Sequence, residues 1–264
     1  DARVGMLARR IQMERSQIRM NKRGVFSLRL GLSLGLTVLL ISLLIILGSS
    51  SLSQSADKPT EATPLLVLTA QKEVRVFGHI FPARFNAAKG PEAQYHFLVW
   101  QAGTSPGALI ETPADDLDFH DAILGLGAQP GNNLTMAAWT RRHDHDNPAP
   151  KQTVSGSQLK VRISWPDNPN GLSIDQVFSQ PPTPNPQPLS SWRFSGNRDR
   201  WFNTVPLVPR PGCLMCLYSC PSGKVSNGAL SIADYVHEPQ RFHADTDQLP
   251  PDGTAVIVTF QIRS

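Results

Sequence analysis

"SQLKVRISW", residues 157–165, alternates apolar and polar side chains with a period of two. Leu159, Val161, Ile163 and Trp165 fall on one face, and Lys160 and Arg162 on the other. That is the pattern of a half-buried strand. A helix would need its apolar residues three and four apart. This stretch sets the reading of everything around it. "TAVIVTFQI" at 254–262 reads as a closing strand, and "QYHFLVWQA" at 94–102 as another. In "PLLVLTAQKEVRVFGHIF" at 64–81, an apolar run at Leu65–Leu68 precedes alternation at Val74, Val76 and Gly78, which predicts a strand pair.

The period changes in "TPADDLDFHDAILGLGAQPG" at 112–131. Leu117, Ile123 and Leu124 suit one helix face, Thr112 or Asp115 can cap its start, and Gly125, Gly127 and Pro130 end it. Its three glycines follow a helix instead of joining a strand to one, so they read as a C-terminal cap and turn and not as a dinucleotide fingerprint. "QPPTPNPQP" at 180–188 excludes helix and central strand. With 23 prolines and 19 glycines in 264 residues, helices cannot dominate.

At the other end, "LGLSLGLTVLLISLLIIL", Leu30 to Leu47, is an uncharged run. Wound as a helix it is about 27 Å long, enough for the hydrocarbon core of a bilayer. Arg29 sits at its edge, and Leu30, Leu36, Leu40, Leu44 and Leu47 are its anchor residues. Net charge is +4, but residues 1–29 hold eight basic and two acidic side chains. The remaining residues hold 17 and 19, so the globular part is nearly neutral and carries no basic stripe for nucleic acid. The basic flank points inward across a bacterial inner membrane. A cleaved signal peptide is the rival, with an apolar region usually shorter than this one. The expected fold class is therefore α+β: a single N-terminal transmembrane helix, then a strand-rich extramembrane domain with one or two short helices and long Pro-rich loops. The expected divisions are a cytoplasmic tail at 1–27, the helix at 28–48, a linker at 49–64 and a periplasmic domain at 65–264.

Candidate chemistry is sparse. No GxSxG elbow is present. His143 and His145 in "RRHDHDNP" at 141–148 fit a solvated loop tip better than a metal site, since prolines follow closely. His79, His96, His120, His237 and His243 are scattered and read as packing or surface residues. All three cysteines lie in "RPGCLMCLYSCPSG" at 210–223. The spacing Cys213-x2-Cys216-x3-Cys220-Pro221 matches the last three cysteines and the proline of a bacterial ferredoxin run, with Arg210 where the first cysteine would stand. A cluster or zinc ion would need a further ligand, such as His237 or His243. An oxidising compartment favours a disulfide with one thiol left over. Three packed thiols are the third reading.

The segments at 111–131, 159–165, "CLYSCPSGKVSNGAL" at 216–230 and "LPPDGTAVIVTFQI" at 249–262 together resemble the YdjY-like family of bacterial exported proteins, over roughly residues 65–264. The resemblance implies an exported domain and a loose association with iron–sulfur chemistry. It brings no catalytic residues. The resulting expectation is no enzyme and no cofactor. The chain would be an accessory or structural subunit of a larger bacterial membrane assembly, respiratory or photosynthetic, with membrane lipid and other membrane-protein subunits as partners. The alternative is a redox protein holding an iron–sulfur cluster or zinc at Cys213, Cys216 and Cys220.

Overall fold

Alternation in the sequence becomes alternation in burial. In a computed structural model that describes residues 58–90, 93–105, 107–179, 191–197, 210–237 and 242–263, the three longest strands each bury every second side chain. These are β2 (Glu73–Ile80), β5 (Gln158–Trp165) and β12 (Thr254–Ile262). They lie side by side and antiparallel. Their register sets Val76, Val258 and Ile163 in one row and Val74, Phe260 and Val161 in the next. All six are buried, and each fully buried aliphatic or aromatic side chain contributes about 1.5–3 kcal/mol.

Five short strands complete a ring: β3 (His96–Trp100), β4 (Ile110–Thr112), β8 (Trp192–Phe194), β9 (Cys213–Cys216) and β10 (Val225–Asn227). The order is β2–β12–β5–β8–β10–β9–β3–β4, and β4 pairs back onto β2. This is a closed eight-stranded barrel, which leaves no sheet edge open within the ring. Two strands lie off the ring, β1 (Leu65–Leu68) against β2 and β6 (Asn168–Ser173) against β5. A small separate pair joins β7 (Phe178–Ser179) to β11 (His243–Ala244).

The helices are short: α1 (Pro82–Ala87), α2 (Asp116–Gly125), α3 (Met136–Thr140), α4 (Ile174–Val177) and α5 (Ile232–His237). Asp115 caps α2, accepting hydrogen bonds from the Leu117 and Asp118 amides. The helix delivers Phe119 onto Phe260 of the barrel core, with ring centroids 4.8 Å apart.

The ring closes at Gly78. A Cβ there would stand 2.7 Å from the Glu111 carbonyl oxygen and 2.8 Å from Cγ2 of Ile110, both on β4. A larger residue therefore pushes β4 off β2. Gly78→Val is expected to lower stability by about 1–3 kcal/mol, read as a lower urea midpoint with an unchanged slope.

Two expectations are corrected. Among the described residues the fold is not α+β. It is a closed barrel with few, short helices, because β4, β8, β9 and β10 take their strand character from pairing across the sheet and local periodicity does not register them. The single-pass inner-membrane localisation has no support in the structure either. Among the described residues no helix is long and apolar enough to cross a membrane. The anchor at 28–48, with Arg29, Leu30, Leu36, Leu40, Leu44 and Leu47, lies outside the described residues, as do the tail and nearly all of the linker.

Candidate metal centre

The cysteine run is part of the barrel wall. β9 carries Cys213 and Cys216 between β3 and β10, and all four of its residues are buried. In a regular strand, residues three apart face opposite sides. Here the pairing of β3 with β9 is irregular. His96 faces Cys216, Leu98 faces Met215 and Val99 faces Cys213, so Phe97 and Leu214 are each an extra residue in the ladder. The bulge at Leu214 returns Cys213 to the side of Cys216. Gly212, at φ +73°, allows the turn into the strand, where its carbonyl accepts from the Trp100 amide at 2.8 Å.

Both sulfurs then meet one imidazole nitrogen. His96 Nδ1 lies 3.5 Å from Cys213 Sγ and 3.7 Å from Cys216 Sγ. The three ligating atoms all lie within 4.8 Å of one another, and all three residues are buried. Among the described residues this is the one such grouping of histidine, cysteine or carboxylate donors. Cys220 stands outside this set, close enough to Cys213 and Tyr95 to interact with both, and 3.4 Å from Ser222 Oγ. All three cysteines are free thiols in this structure.

The thiols are electrostatically unequal. Hydrogen bonds from the Cys216 and Cys220 thiols hold Cys213 well below the usual thiol range, against burial and with help from His96. Ser105 Oγ lies 3.0 Å from the same sulfur. Burial pushes Cys216 well up, and it pushes Cys220 up to about 12. Burial, followed by the thiols, also raises Tyr95. One sulfur is thus prepared as a thiolate and its neighbours as donors to it. In the metal-free chain at neutral pH, a small alkylating reagent is expected to modify Cys213 first. Peptide mapping after partial alkylation checks this, and equal labelling of all three would contradict it.

The surrounding frame is heavily bonded. Tyr95 donates to the Ser219 carbonyl at 3.0 Å, Ser219 Oγ to the Asn227 carbonyl at 2.9 Å, and Asn197 Nδ2 to the Cys220 carbonyl at 3.2 Å. Beneath it, Asp116 at the start of α2 forms ion pairs with Lys224 Nζ at 2.8 Å and with Arg210 at 3.2 Å. Arg210 also grips Asp115 at 2.6 Å and lies over the Trp100 ring. The arginine that stands where a ferredoxin run has its first cysteine therefore fastens the loop to α2 and supplies no ligand.

Cys213 and Cys216 come together as the spacing suggested, and Cys220 lies one step away. His237 and His243 do not join them. Both are exposed, and His243 faces Asn86. His143 and His145 sit on an exposed turn, as expected. The ligand that sequence reasoning missed is His96. Its only signal was a polar residue at the head of the otherwise apolar "HFLVW" strand, which is equally what a packed histidine gives.

A cavity of about 280 Å³ opens beside the thiols. A larger groove of about 540 Å³, lined by Phe77, Trp165 and Ile257 among others, has no histidine or cysteine among the described residues of its wall.

Comparison with known proteins agrees with the motifs. A YdjY domain model matches residues 65–261. A protein of Escherichia coli (strain K12) named "Uncharacterized protein YdjY" is 31% identical over 169 residues, which cover 63% of this chain and 67% of that one. No solved structure matches the chain.

Proposed function

This chain belongs to the YdjY family, and we propose that its barrel holds a single thiolate-ligated metal ion on His96, Cys213 and Cys216. One observation carries the reading. Bond lengths of about 2.3 Å to sulfur and 2.0–2.1 Å to nitrogen, opened at a tetrahedral angle, put an S and an N about 3.6 Å apart. The two distances to His96 Nδ1 are 3.5 and 3.7 Å. Cysteine and imidazole together suit zinc or a similar late transition metal.

The donor set fits one ion better than an iron–sulfur cluster. In a cluster each iron takes its own protein ligands, so the thiolates are spread around the outside of the cluster. Here the donors converge on one point. The accessory-subunit reading leaned on the anchor, and nothing among the described residues favours it over metal binding.

The test is metal content. The full chain, purified from zinc-supplemented medium, is expected to carry about one ion per chain. With cobalt(II) in its place it should show sulfur-to-cobalt charge-transfer absorption. A chain that takes up neither metal, with three thiols open to titration after unfolding, sinks the reading.

A further inference from the structure

Three donors leave a tetrahedral ion one position short. Sites that bind an outside ligand are built this way, with three protein ligands and an open fourth position. The cavity beside the thiols borders two of the three donors. His96 and Cys213 form part of its wall, as does Cys220, which is not among the three converging donors.

The wall states what chemistry it accepts. Among the described residues lining it there is no Lys, Arg, Asp or Glu, so it offers nothing to balance a phosphate or a charged side chain. Met136 and Trp139 supply an apolar side, and the Trp139 ring lies 4.7 Å from that of Tyr95. Ser105 and Ser222 supply hydroxyls near the sulfurs. The volume lies just under the range of about 300–1,000 Å³ typical of pockets for drug-sized ligands, so the occupant is small. A third thiolate would complete a three-sulfur, one-imidazole set of the kind zinc commonly takes, and a sulfur-rich metal prefers another soft donor.

We propose that the cavity binds a small organic thiol, whose sulfur takes the fourth position on the metal as a thiolate. The inference rests on the metal reading above. Binding forms one metal–sulfur bond and breaks one S–H bond, and the proton leaves to water through the cavity mouth. No electron is transferred.

The test uses the cobalt(II)-loaded full chain and 2-mercaptoethanol as the probe. The expected result is a saturable rise in sulfur-to-cobalt charge transfer, with proton release on binding. Met136→Trp narrows the cavity without touching a ligand. It should keep the thiol-free cobalt spectrum and weaken the thiol response about tenfold or more, as loss of a well-filled apolar contact does. Cys220→Ser should leave the thiol-free spectrum unchanged. Uptake of cobalt with no response to the thiol overturns the inference alone, and so does stripping of the metal by the thiol. Loss of a cobalt–sulfur band in Cys220→Ser does so too, since Cys220 would then be closing the site. Failure to take up cobalt at all overturns the metal reading and this inference with it.

Discussion

Cys213→Ser loses the metal. Removing a group that only orients a ligand weakens metal affinity by about 10–100-fold, and removing a ligand should exceed about 100-fold. Cys213 has the strongest claim to being a ligand. Its sulfur sits 3.5 Å from His96 Nδ1, accepts hydrogen bonds from two other thiols, and is held well below the usual thiol range. A hydroxyl in its place is hard, neutral and a poor partner for a soft ion. His96→Ala should lose the metal as well, because it removes the donor on which the two sulfurs converge. Competition against a chromogenic chelator gives the affinities. A Cys213→Ser chain that holds zinc as tightly as the parent would remove the case for a metal centre. Since serine is close in size to cysteine, circular dichroism and the thermal midpoint separate lost binding from lost fold.

Asp116→Asn should unfold the domain more readily than any surface change. The carboxylate lies between Lys224 Nζ and Arg210, and the Lys224 and Asp116 side chains are only 5% and 2% exposed. Neutralising it leaves the lysine charge buried with no opposite charge, only the Ser222 carbonyl to which Nζ donates at 3.2 Å, and breaking such a pair costs about 3–5 kcal/mol. At about 2–4 °C per kcal/mol for a domain of this size, the thermal midpoint should fall by roughly 6–20 °C. Replacing both partners, Asp116→Asn with Lys224→Met, should recover part of the loss, because no charge is then stranded. A single variant as stable as the parent would show that water reaches the lysine and that the pair does not clamp the loop.

Much of the barrel was legible as strands. β2, β5 and β12 follow from period-two alternation, and α2 follows from a change of period with Asp115 at its start and Gly127 at its end. The closure was not legible. β4, β8, β9 and β10 have three or four residues each, too few for a periodic signal, and they lie among prolines, glycines and cysteines that read locally as loop. Their strand character comes from distant partners. β8 bridges β5 and β10, and β4 bridges β3 and β2.

The sequence by itself determined which strands have a buried face, where the helix capped by Asp115 begins, which family the chain resembles, and that any soft-metal chemistry must lie at 213–220. Those are properties of neighbours along the chain. Only the tertiary structure decided that Cys213 and Cys216 face the same way, that Cys220 stands aside, and that His96, more than 100 residues before them, is their partner. The physical reason is the paired strand. A bulge at Leu214 reverses a side chain's direction, and the β3–β9 register selects which histidine it meets.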